Sequence, residues 1–148
     1  MKRVGFHLFV ASSLVAACAD ARDYELAGVI QLNKGESFSI TPRTPLVDDK
    51  PFKDLCLLPM NPESLAKAEE FGFKAEDGQS FLPVVTAVNE QGQVIPLNSP
   101  SLRVAAGGEA WVCLSPILGA TRGPFVQVRI ATPYKLRLAS VHWHNFEK

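Results

Sequence analysis

The feature that most constrains the fold is a series of short runs in which apolar and polar residues alternate with a period of two. The run Phe125 to Ala131 shows it clearly, because Val126, Val128 and Ile130 share one face whereas Gln127 and Arg129 share the other. Glycines and prolines end most of these runs, and the chain has 10 glycines and 11 prolines. A period of two is that of an extended strand with one buried face, so the sequence predicts a mainly β fold.

The spacing of these runs predicts an antiparallel β-sandwich in a single domain, residues 18–148. Glu90-Gln91-Gly92 and Gly107-Gly108 each predict the tight turn of a hairpin. One short helix is expected between strands, with Asn61 as N-cap and Gly72 as its end. Its apolar stripe is Leu65, Ala68 and Phe71. The predicted strands are 24–32, 36–40, 54–58, 81–89, 93–97, 102–106, 109–114, 125–131 and 135–145.

The N-terminus predicts export from the cytoplasm. Lys2 and Arg3 precede an apolar run that ends in Val15-Ala16-Ala17-Cys18. That ending resembles the bacterial lipobox, which implies a lipoprotein-type signal peptide over residues 1–17 and a palmitate-bearing lipid on Cys18. By the same resemblance, Ala19 favours the outer membrane. No later apolar run is long enough to cross a bilayer, so we expect membrane attachment to depend on Cys18.

An ordinary signal peptide is the alternative. Ala17-Cys18-Ala19 and Ala19-Asp20-Ala21 are both acceptable small-x-small cleavage sites. Cleavage there would release a soluble periplasmic or secreted protein.

Cys56 and Cys113 remain in the mature chain, and in an oxidising compartment two such thiols predict one disulfide bond. Alternation places Trp111 on the same face as Cys113, so its ring can pack beside the bond. The Trp111-Val112-Cys113 segment weakly resembles immunoglobulin-like domains. That resemblance implies a bridge between the two sheets of the sandwich.

The last strand holds the candidate ligand-binding residues His142, Trp143 and His144. A β-bulge near Ala139 or Ser140 would return Val141 and Trp143 to the core and turn Ser140, His142 and His144 outward. Two histidines at this spacing could share Cu²⁺ or Zn²⁺, but the sequence supplies no third ligand. We therefore expect a wet strand end with no metal or cofactor.

The sequence favours a binding protein over an enzyme. Without Lys2 and Arg3 the mature chain keeps 13 basic and 15 acidic residues, which is no footprint for nucleic acid. It lacks the Gly-x-Ser-x-Gly, His-Glu-x-x-His and phosphate-loop motifs, and the neighbouring carboxylates Asp48-Asp49 and Glu69-Glu70 are expected on solvated faces.

Three functions stay open. We expect a lipid-anchored envelope protein that binds a protein partner, as an inhibitory, immunity-like module or a secretion accessory. The alternatives are a module for carbohydrate or metal and a structural subunit that pairs by strand addition.

Overall fold

The computed structural model describes residues 23–47, 53–66, 71–116 and 123–145. The signal peptide and Cys18 therefore lie outside the described residues, as do Asp48-Asp49 and Glu69-Glu70. The strands are β1 (Asp23–Ala27), β2 (Ile30–Leu32), β3 (Ser37–Ile40), β4 (Lys53–Pro59), β5 (Phe73–Lys74), β6 (Ser80–Phe81), β7 (Val84–Asn89), β8 (Val94–Pro96), β9 (Ser99–Val104), β10 (Ala110–Ser115), β11 (Phe125–Ala131) and β12 (Leu136–Asn145).

The strands form two main antiparallel sheets, which confirms the mainly β, sandwich-like fold. One sheet has the order β1-β12-β4-β10-β9, and β2 also pairs with β12. The other has the order β3-β11-β7-β8, and β5 and β6 form a separate hairpin. Residues from both sheets join one buried apolar cluster, which includes Leu55, Leu57, Val112, Leu114, Val85, Val128 and Ile130.

Local sequence explains the turns. The β7–β8 connection closes with Gly92 at φ 81°, and Asn89 Oδ1 accepts hydrogen bonds from the amides of Gln91 and Gln93 at 3.0 and 2.9 Å. A positive φ is accessible to glycine without strain. In the β2–β3 turn the Asn33 amide donates to the Glu36 carboxylate at 2.8 Å, which lowers the pKa of Glu36 from its ordinary value.

The helix predicted over 61–72 is wrong for the residues of that stretch that the structure describes, 61–66 and 71–72; Ala68 lies outside them. Pro62–Ser64 forms a 3-10 turn with Asn61 as its N-cap. Leu65 is already extended at φ −79° and ψ 140°, and it forms a β-bridge with Phe73. Phe71, expected on the apolar stripe, is 42% exposed. Pairing with the β5 segment therefore overrides the local helix signals.

The strand predicted over 24–32 is two strands, β1 and β2, which are separated at Gly28 and Val29 and both pair with β12. Within the part of the chain that the structure describes, no helix has the length and apolar character needed to cross a membrane.

Candidate functional site

The predicted β-bulge is present in β12. Pairing of β12 with β4 shifts register between Leu138 and Ser140. Beyond the shift Val141 is fully buried and Trp143 is 2% exposed. The bulge thus keeps the apolar side chains on the inner face although the spacing of apolar residues changes.

Trp143 is a core residue and does not offer a surface for ligands. Its indole Nε1 donates a hydrogen bond to the carbonyl oxygen of Val47 at 2.9 Å. Its ring meets Phe125 edge-on, with centroids 5.9 Å apart. Of the predicted ligand-binding residues, this leaves the two histidines.

His142 and His144 lie on the outer face of the six-stranded sheet, as predicted, and both are half-buried. Ser140 also lies on the outer face, as predicted, because it pairs with Leu58, two residues along β4 from Cys56, the partner of His142. Ser140 is only 9% exposed there.

The disulfide bond between Cys56 and Cys113 is present, but it does not bridge two sheets as the immunoglobulin resemblance implied. The cysteines face each other on β4 and β10, which are adjacent strands of the six-stranded sheet. Their sequence neighbours Leu55, Leu57 and Val112 belong to the inter-sheet core. Since side chains alternate along a strand, the disulfide lies on the outer face.

One row of directly opposite residues crosses five strands of this sheet. It runs Glu25, His142, Cys56, Cys113 and Ser101. Opposite residues in antiparallel strands share a face. A histidine and an exposed carboxylate therefore stand in line with the disulfide on the outer surface.

The side chains of Trp111 and His142 contact each other on this face. Their ring centroids are 4.8 Å apart in an edge-on arrangement, although Trp111 is on β10 and His142 is on β12. Strand β4 lies between those two strands. The rings can meet only by reaching across β4, so they cover the strand that carries Cys56.

An ion pair spans the neighbouring strand in the same way. Arg103 of β9 lies 3.8 Å from Asp54 of β4, measured between Nη2 and Oδ2, and β10 runs between them. Cys56 and Cys113 are fully inaccessible to solvent even though they lie on the outer face. The side chains that reach across β4 and β10 account for this burial.

We name this surface the outer-face cluster: Glu25, Asp54, Arg103, Trp111, His142 and His144. It combines aromatic rings, both signs of charge and a rigid crosslink. Among the residues with described positions, no three His, Cys, Asp or Glu side chains are grouped as a metal site.

Sequence reasoning singled out the histidines but missed Asp54 and Arg103 and assigned Trp111 to the packing of the disulfide. Alternation along β10 showed that Trp111 and Cys113 share a face of the sheet. It could not show whether that face is the inner or the outer one, because this depends on how the two sheets pack.

No known protein family, curated protein sequence or solved structure matches this chain.

Proposed function

We propose that the chain is a non-enzymatic binding protein of the bacterial cell envelope, tethered by lipid at Cys18, and that its outer-face cluster contacts a protein partner. The observation that carries the proposal is the covered disulfide. Trp111 and His142 meet across β4 above a crosslinked pair of strands, which is a rigid platform on a surface that sandwiches usually leave simply polar.

The composition of the outer-face cluster supports contact with a protein. Tryptophan and arginine are enriched where interfaces concentrate their binding energy. The Arg103 side chain keeps 45% of its surface exposed, and that of Asp54 keeps 18%. Both can therefore take part in charge complementarity at the rim, which aids specificity and association rate.

Rigidity supports the same proposal. The disulfide joins β4 to β10 directly beneath the rings. A surface that is ordered before binding loses less conformational entropy when a partner docks. The disulfide also supports the exported location, because such bonds persist in oxidising compartments.

Strand addition receives less support at the β9 edge. Pro100 is the second residue of that edge strand, opposite Leu114. Proline has no amide hydrogen to donate to an added strand, and it is a common protection of sheet edges.

Site-specific photocrosslinking in the bacterium tests the proposed face. A benzophenone amino acid replaces Ser99, which is exposed on the outer face of the six-stranded sheet beside Ser115. The matched control replaces Ser39, which is exposed on the outer face of the other sheet opposite Arg129. We expect one defined protein adduct at Ser99, none at Ser39, and loss of the Ser99 adduct when Trp111→Ala is added. Equal adducts at both serines, or an adduct indifferent to Trp111→Ala, would contradict the assignment.

A further inference from the structure

A second concave surface lies away from the outer-face cluster. A cleft of about 460 Å³ opens between the β5–β6 hairpin, the 3-10 turn and the start of β12. Phe73 and Phe81, both buried, line it with ring centroids 6.0 Å apart. This volume lies in the range of small-molecule sites, which combine apolar walls with a few polar groups.

The charges that line the cleft are mainly positive. The cleft is lined by three cations, Lys74, Lys135 and Arg137, and one carboxylate, Glu76. Over the whole chain the 15 basic and 15 acidic residues balance, so positive charge is concentrated at the cleft. Within the described segments, none of these four side chains forms an ion pair. An excess of unpaired positive charge in a recess with a low-dielectric wall strengthens the local positive potential and attracts an anion.

Two polar side chains at the rim add hydrogen-bonding capacity. Asn61 uses its Oδ1 to accept from the amide of Glu63 at 3.3 Å, which leaves its Nδ2 hydrogens available. Ser64 donates its hydroxyl to the carbonyl oxygen of Asn61 at 2.7 Å, which leaves the hydroxyl oxygen as an acceptor.

We propose that this cleft binds a small organic anion in which a carboxylate or phosphate is attached to an apolar ring. The ring lies against Met60, which is 40% exposed, and the edge of Phe81, and the anion meets Lys135 and Arg137. The guanidinium of Arg137 can bind two oxygens at once, and charge-assisted hydrogen bonds of this kind are stronger than neutral ones. Arg137 alternates with the buried Leu136 and Leu138 and lies five residues from His142 along β12, roughly 16 Å at the rise of a strand, so the site does not overlap the outer-face cluster.

Calorimetry with three probes tests the recognition chemistry on the full-length protein. Phenyl phosphate carries both the ring and the anion, benzyl alcohol the ring alone, and inorganic phosphate the anion alone. We expect phenyl phosphate to bind at least tenfold more tightly than either of the others. No binding of phenyl phosphate, or equal binding of inorganic phosphate, would overturn the proposal.

Charge variants test whether phenyl phosphate binds in the cleft and whether positive charge there strengthens the binding. Lys135→Gln and Arg137→Gln should each raise the Kd for phenyl phosphate about tenfold, the scale of one lost charge-assisted hydrogen bond. Glu76→Gln should lower the Kd, because it removes a repulsive carboxylate. The matched control Arg129→Gln removes a cation from the outer face of the four-stranded sheet and should leave the Kd unchanged. Binding that ignores the cleft variants, or that weakens equally with Arg129→Gln, would contradict the site.

Vesicles test whether a phospholipid headgroup, which carries a phosphate but no ring, occupies the cleft instead. The full-length Cys18→Ser chain, which lacks the proposed anchor, is mixed with phosphatidylglycerol vesicles. Tight phenyl phosphate binding without cleft-dependent retention supports the proposal. Retention that phenyl phosphate reverses and that Lys135→Gln and Arg137→Gln abolish would identify a lipid headgroup as the ligand and overturn the requirement for a ring. Because these variants do not touch the outer-face cluster, their outcome is independent of the crosslinking result.

Discussion

Replacing Trp143 with alanine should destabilise the protein by about 4–5 kcal/mol. Loss of a buried aromatic costs about 3–5 kcal/mol through lost burial and the cavity left behind. Trp143 is 2% exposed and packs edge-on against Phe125, so the neighbourhood has little freedom to refill the space. The carbonyl of Val47 also loses its donor, which adds about 1 kcal/mol and favours the upper end of the range.

Urea unfolding measures this effect as a fall in the midpoint with an unchanged slope. Trp143→Phe retains a ring but no N–H, so its cost relative to wild type reports the lost hydrogen bond and the smaller ring. The difference between Trp143→Phe and Trp143→Ala reports the burial of the remaining ring. Trp111→Ala is the matched control on the other face. Because Trp111 is half-buried, its loss should cost only about 1–2 kcal/mol.

Fluorescence checks the same assignment independently, because the chain has only 2 tryptophans. In Trp111→Phe the remaining Trp143 should emit at short wavelength and resist quenching by acrylamide. In Trp143→Phe the remaining Trp111 should emit further to the red and be quenched readily. If Trp143→Ala costs less than Trp111→Ala, or if the quenching order is reversed, the bulge between Leu138 and Ser140 is misplaced and the reasoning fails.

Three further outcomes are expected. Cys113→Ala should lower stability by about 2–5 kcal/mol, whereas alkylation of both cysteines in the untreated protein would reject the bond in solution. Gly72→Ala should lower the free energy of unfolding by about 1–3 kcal/mol in thermal or urea unfolding, because its added Cβ would lie 2.6 Å from the carbonyl oxygen of Phe81. Gly107→Ala is the control, since no atom lies within 4 Å of its added Cβ. It should change stability by less than about 0.5 kcal/mol. Labelled palmitate should enter the full chain but not Cys18→Ser, and an unlabelled, soluble wild type would leave only the ordinary signal peptide.

Most strands, and the faces of their residues, could be inferred from the amino-acid sequence alone, but β5 and the breaks between β1 and β2 and between β6 and β7 could not. Alternation depends only on neighbours along the chain, so the face shared by Val128 and Ile130 could be inferred without knowledge of the partner strands. The bulge in β12 followed from the same rule, since Val141 and Trp143 are apolar at positions that strict alternation would expose. The disulfide was predictable from the number of cysteines and the export signals.

Which strands are neighbours depends on contacts between distant parts of the chain. The chain pattern is compatible with Cys56 and Cys113 in one sheet or in two, and long-range pairing of β4 with β10 selected one sheet. The same pairing put Trp111 and His142 on opposite sides of β4, where their rings meet. A second pairing, the β-bridge from Leu65 to Phe73, forms where a helix was expected. Helix preferences over a few residues are too weak to prevent it. The physical reason is that local propensities are worth fractions of a kcal/mol per residue, whereas strand order is set by burial of apolar surface contributed from distant parts of the chain.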